Sequence, residues 1–171
     1  LAMLGIMYGT DEAIRRTKGI MQYIANMAYE TSALLADEKE VFPLYNSTEF
    51  MQRPFIKKLD KHIQNIIRQY GIRNGVILTV APTGTTSIFM GNVSSGIEPI
   101  FAHKINRKVR VDGDEFKEYT SNGYSLLKWH ETLDEGDNHE LNDLPASMRA
   151  TANKVSPESH IEMQAAVQEW I

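Results

Sequence analysis

The hydrophobic pattern first changes its period at Gly75, and that change limits the architectures open to this chain. Before it the spacing is helical. From Glu12 to about Glu38, Ile20, Ile24, Met27, Thr31, Leu34 and Leu35 recur at helical intervals, and Thr10-Asp11 supplies a cap. Phe42-Pro43-Leu44-Tyr45-Asn46-Ser47 breaks the pattern. A second helix is predicted with Pro54 in its first turn, with Phe55, Leu59, Ile63, Ile66, Ile67 and Tyr70 on one face, and with Gly71 at its end. After Gly75 comes Val76-Ile77-Leu78-Thr79-Val80-Ala81, a short β-branched run closed by Pro82, which predicts a buried strand. Helices around a strand place the chain in the α/β class.

Beyond the strand the elements are shorter. Pro82-Thr83-Gly84-Thr85-Thr86-Ser87 is a polar loop running into Ile88-Phe89-Met90-Gly91, and Asn92 to Pro99 reads as loop. Ile100 to Val111 reads as an extended segment with interleaved basic residues. Asp112 with Glu115 suits a capping box for a helix through Phe116, Tyr119, Leu126 and Leu127. Gly136-Asp137-Asn138 marks a turn, and Ser156-Pro157 starts a last helix with Met163, Val167, Trp170 and Ile171 on one side.

The 171 residues suit one partial domain, because the chain opens without an initiator Met and closes inside a helical pattern. Both ends read as cuts. No basic region and cleavage site mark a secretory signal, and no run of 18 apolar residues predicts a membrane span. A net charge of -4 argues against nucleic acid as a partner. The absence of cysteine excludes a disulfide framework, a thiolate zinc site and thiol chemistry by this segment.

One loop has chemical promise. A strand leading into a Gly/Thr/Ser turn and then into a helical start presents unpartnered backbone N–H groups at the positive end of a helix dipole. Gly84 admits an anion close to the backbone, and Thr83, Thr85, Thr86 and Ser87 each carry a hydroxyl donor. The loop lacks the Gly-Lys-Ser/Thr ending of a Walker A motif and the spaced glycines of a dinucleotide fingerprint. On composition alone, the favoured reading is that these hydroxyls cap a helix.

Two ordered stretches change that balance. Ala81-Pro82-Thr83-Gly84-Thr85-Thr86-Ser87, followed by Gly91-Asn92-Val93-Ser94-Ser95-Gly96-Ile97-Glu98-Pro99, resembles the substrate loop of ribonucleotide reductases. The continuation through Ile100-Phe101-Ala102 is similar to the adenosylcobalamin-dependent class. Val155-Ser156-Pro157-Glu158, His160 and Met163 to Gln168 resemble a later stretch of the same family, in the same order. The resemblance implies a helix-rich segment of a ten-stranded α/β barrel. It implies that Thr83, Gly84, Thr85, Thr86 and Ser87 hold the phosphates of a ribonucleoside di- or triphosphate. It also implies adenosylcobalamin as cofactor, a thioredoxin-type reductant, contact with the rest of its own chain, a homodimer and a cytoplasmic location.

The family exchanges the ribose 2′-hydroxyl for hydrogen through a thiyl radical, so its cysteines are expected upstream of Leu1, and this segment should be inactive alone. Two alternatives stay open: the same segment of an iron-dependent reductase, and a non-catalytic phosphate-binding or assembly module. A segment cut from a barrel should expose apolar helix faces.

The remaining candidates read as structural. Glu98 suits a supporting role rather than that of the family's catalytic acid. His62, His103, His130, His139 and His160 show no metal-ligand spacing; His62 suits a rim position and His160 a packing role. Lys104, Arg107, Lys108 and Arg110 face either nucleotide phosphates or, as alternating charges favour, water. The eight methionines suit core filling.

Overall fold

The computed structural model describes residues 1–133 and 140–171, so the turn at Gly136-Asp137-Asn138 and His139 lie outside the described residues. Two compact units are present. One combines Arg15–Val80 with Ala165–Ile171, the other Leu1–Ile14 with Ala81–Gln164.

The first long helix forms as its pattern predicts. α1 spans Asp11–Lys39; the Thr10 hydroxyl accepts the Ala13 N–H at 3.2 Å, and Asp11 and Glu12 sit in the first turn, where the dipole favours them. Its buried residues are small: Ala13, Ala25, Ala33 and Ala36, with Asn26 and Ser32. The larger apolar residues Ile20, Tyr23, Ile24, Met27 and Leu34 are exposed. These leave one apolar face of α1 uncovered.

The helix predicted after Pro54 is broken in two, and another precedes it. α2 (Ser47–Gln52) is capped by Asn46, whose side chain accepts the Glu49 N–H. α3 (Pro54–Lys58) and α4 (Lys61–Tyr70) are separated at Leu59-Asp60. Two buried amides stabilise the break. Gln64 Nε2 donates to the carbonyls of Lys57 and Leu59 at 3.0 and 2.7 Å, and Asn26 Oδ1 accepts the Asp60 N–H at 3.0 Å. Those backbone groups would otherwise be orphaned in the interior. Phe50, Ile56, Leu59, Ile63, Ile67, Ile72 and Trp170 form the core of this unit with Ala25 and Ala33. Gly71 ends α4 at φ 80° and ψ -153°, a conformation open essentially to glycine alone.

The strand predicted at Val76–Ala81 is absent. Ile77 and Leu78 pack on the core while Val76 is 83% exposed, and no ladder pairs with this run among the described residues. A strand exists only as part of a ladder, and a β-branched run does not bring its own neighbour.

The other unit contains the one sheet among the described residues. β1 (Lys104–Asp112) pairs antiparallel with β2 (Glu115–Asn122), with a register shift between Arg110 and Asp112. The capping box at Asp112 and Glu115 is therefore corrected to a hairpin: these two residues face each other across the turn, where Gly113 has φ 45°. A two-residue Gly-Asp turn between runs of β-formers is a hairpin signal, and here Gly113-Asp114 prevails over the cap spacing. The helix carrying Leu126 and Leu127 starts later, as α6 (Tyr124–His130). Leu126 packs with Leu144 and Met148, and α7 (Pro157–Gln168) starts with the Ser159 N–H donating to the Ser156 hydroxyl. Met163, Val167 and Trp170 are buried, as their spacing predicts. Met148 and Met163 fill core, whereas Met3, Met7, Met27 and Met90 are exposed. No helix among the described residues is long and apolar enough to cross a membrane.

Candidate functional site

The Gly/Thr/Ser loop does lead into a helix, α5 (Gly84–Phe89). Its cap, Thr83, has φ 40° and ψ 28°, a left-handed conformation uncommon for a β-branched residue. Its hydroxyl is tied to the loop that follows α5: the Gly96 N–H donates to Thr83 Oγ1 at 2.7 Å. Gly96 is itself left-handed, and a Cβ there would meet the Ala81 carbonyl oxygen at 3.0 Å. Loop 92–99 is thus fastened against the first turn of α5 through two left-handed residues.

The five positions marked in the sequence divide into two kinds. Gly84, Thr85 and Thr86 are exposed, and their amides lie in the first turn, where intrahelical acceptors are missing. A Cβ on Gly84 would meet nothing within 4 Å, so the fold itself does not require glycine there. Thr83 is exposed too, but its hydroxyl is committed to Gly96, and only Ser87 faces inward. Ser87 is buried; its hydroxyl donates to the Gly84 carbonyl at 2.8 Å and receives a 3.4 Å contact from the Ser95 hydroxyl. These two brace the loop, leaving the three between them open to an incoming group.

Beside α5 lies a cavity of about 160 Å³ lined by Ser87, Asn92, Ser94, Ser95, Glu98 and Arg107, among others. Asn92 organises its wall from a left-handed backbone (φ 65°), which Asn tolerates better than most residues. All of its polar groups are engaged. Its N–H donates to the Ser87 carbonyl (2.8 Å), its carbonyl accepts from Tyr124 (3.1 Å), its Nδ2 donates to the Asn122 carbonyl (3.0 Å), and its Oδ1 accepts from Arg107 (2.7 Å). Lys104, Lys108 and Arg110 are exposed, as the solvated-face reading expects, but Arg107 turns to this cavity. Sequence reasoning gave Arg107 no separate role from its neighbours, and its place in an alternating strand was the available signal.

Further contacts fix the wall. The Tyr8 hydroxyl donates to the Ile97 carbonyl at 3.1 Å, and burial, with the Glu98 charge second, pushes this phenol above its ordinary pKa. Buried His103 donates from Nε2 to the Met148 carbonyl at 2.7 Å, since a carbonyl only accepts; its Nδ1 has no partner among the described residues. His160 packs near Tyr8, with ring centroids 5.9 Å apart, and His62 is an exposed rim residue 3.5 Å from Glu30. Among the described residues no group of three His, Asp or Glu is placed to hold a metal ion. The chemistry available is anion binding by amides, hydroxyls and one guanidinium.

The family described as "Ribonucleotide reductase, barrel domain" matches residues 1–171. The chain is 31% identical over 183 residues to the vitamin B12-dependent ribonucleoside-diphosphate reductase of Mycobacterium tuberculosis, covering 100% of this chain and 24% of the relative. It is 32% identical over 181 residues to the enzyme of the same name from Thermoplasma acidophilum, covering 99% and 21%. A ribonucleoside-diphosphate reductase subunit alpha from Treponema pallidum is 31% identical over 106 residues, covering 58% and 12%. The chain therefore spans about a quarter or less of the length of the curated relatives it matches.

Proposed function

Because the chain belongs to the ribonucleotide reductase family, matching its barrel domain, we propose that it supplies the substrate-phosphate loop of a vitamin B12-dependent reductase that converts ribonucleoside diphosphates to deoxyribonucleotides. The observation that carries this reading is the open first turn of α5: exposed amides at Gly84, Thr85 and Thr86, with a glycine that the fold does not require. An oxyanion seated there takes main-chain hydrogen bonds and the helix-end charge without any lysine. The Thr85 and Thr86 hydroxyls add donors, and Thr83 and Ser87 keep the turn in shape. Both compact units would belong to one partial barrel, completed by the rest of a longer chain, which would also cover the apolar face of α1.

Adenosylcobalamin supplies the initiating radical when bound. The cavity beside α5, about 160 Å³, is too small for a corrin ring, so we assign it to the phosphate end of the substrate and route no step through the cofactor. With no cysteine in this sequence, the thiyl radical and the reducing dithiol belong to other residues of the full-length protein. What these residues do is bind and orient. Fixing the phosphates fixes the ribose relative to whatever attacks it. Identities of 31% and 32% to the vitamin B12-dependent relatives, against 27% and 24% to the Chlamydia alpha subunits that cover the chain as fully, favour the cobalamin class.

The test is hydrogen exchange on the full-length chain with and without saturating ribonucleoside diphosphate. The amides of Gly84, Thr85 and Thr86 should slow on binding. Unchanged exchange at these three positions, with the nucleotide bound, refutes the assignment.

A further inference from the structure

Resting on the phosphate reading of α5, we propose that Arg107 is the counter-ion of the adjoining cavity and a specificity-determining residue, making the site prefer a phosphorylated nucleoside to the bare nucleoside.

Arg107 stands apart from the other cations of β1. Lys104, Lys108 and Arg110 are exposed, and Arg110 is paired with Asp114 at 2.9 Å. Arg107 is half-buried against the cavity and has no carboxylate within salt-bridge distance among the described residues. Its hydrogen bond is the 2.7 Å donation from Nη2 to Asn92 Oδ1, a neutral acceptor, which leaves the other guanidinium N–H groups available. Half-burying a full positive charge beside a neutral amide is unfavourable unless an anion completes the site.

The neighbouring groups fit an anion of one kind. Ser94 offers its hydroxyl to the same space, while the Ser87 and Ser95 hydroxyls donate to the Gly84 carbonyl and to Ser87. Glu98, the one acidic residue of the lining, is exposed and makes no ion pair with Arg107 among the described residues. A planar guanidinium held by Asn92 presents paired donors, the geometry that matches phosphate oxygens. Asn92 keeps that aim because its other polar groups are committed to the Ser87, Asn122 and Tyr124 backbone. The ligand class is therefore a phosphoryl or diphosphoryl group, met in this cavity by the cation from β1.

The test uses the full-length chain and calorimetric titration with inorganic pyrophosphate, a ribonucleoside diphosphate and the corresponding ribonucleoside. Arg107→Gln should reduce the preference for the diphosphate over the nucleoside by about 10-fold or more, the loss expected for a charge-assisted contact. It should weaken pyrophosphate binding in parallel and leave nucleoside affinity unchanged. A variant that keeps the wild-type preference overturns the role of Arg107 while the α5 reading stands. A wild-type chain that ignores pyrophosphate and shows no preference overturns both. Where the variant does not fold, the wild type decides: pyrophosphate should protect Arg107 from phenylglyoxal, mapped by mass spectrometry. Modification that is equal with and without pyrophosphate, or absent in both, overturns the proposal.

Discussion

Thr83 joins backbone strain to the site, and its two contributions separate by substitution. Thr83→Val keeps the β-branched shape and the left-handed backbone but removes the acceptor of the Gly96 N–H, the 2.7 Å bond that ties loop 92–99 to α5. Loss of one such bond on an exposed segment costs about 1 kcal/mol of local stability. Thr83→Gly removes the same acceptor but releases the left-handed penalty of about 1–2 kcal/mol. Roughly 0.5–1 kcal/mol of that relief is offset by the greater freedom of glycine in the unfolded chain. The net change for Thr83→Gly is near zero, leaving it about 1 kcal/mol above Thr83→Val. Native-state hydrogen exchange at the Asn92 amide, whose bond to the Ser87 carbonyl neither variant removes, reads the difference, since about 1.4 kcal/mol is tenfold in an opening equilibrium. Thr83→Val should speed exchange several-fold and Thr83→Gly hardly at all. Phosphate binding should follow another order, because the glycine variant holds the loop less firmly and binds more weakly than its stability suggests. If the valine variant matches the wild type, or the glycine variant opens as readily as the valine one, the strain and the tie have been misjudged.

Two predictions concern the unit built on α4. Gly71→Ala should destabilise it by at least about 1–3 kcal/mol, since a side chain at φ 80° is strained and its Cβ would press on Val41 and lie 3.0 Å from Tyr45; thermal unfolding checks this. Glu169 accepts hydrogen bonds from Lys18 and Lys58, each at 2.6 Å, and these hold its carboxyl below the ordinary carboxylate value. A folded-state pKa below the unfolded one gives stability that is present above the unfolded value and lost as pH falls through the folded one. Glu169→Gln should therefore be less stable than wild type at neutral pH, with the gap closing on acidification; urea titrations across the acid range measure it.

What could be read from the sequence was what depends on near neighbours along the chain. α1, the stop at Gly71, the start of α7 at Ser156-Pro157 and the helical entry at Gly84 follow from local spacing and caps. The strand at Val76 failed because ladder pairing is a property of two segments, and only one was visible. Asp112 and Glu115 misled because a three-residue spacing serves both a helix cap and a two-residue hairpin turn; the intervening Gly113 was the deciding residue. At the site, the open amides of α5 were legible, but the inward turn of Ser87 was not, since its acceptor and its Ser95 neighbour are set by the folded loop. Arg107 was hidden for the same reason: Asn92 aims it, and tertiary contacts aim Asn92.

The two sides of α1 have a practical consequence. Its alanines already sit against neighbours, while Ile20, Tyr23, Ile24, Met27 and Leu34 lie on water. A polypeptide trimmed to this segment will carry an oily ridge, and such ridges seek one another as concentration rises. Crystallisation or spectroscopy on the excised piece is best begun with polar replacements along that ridge, because the alanine side can then be left to hold the helix in place.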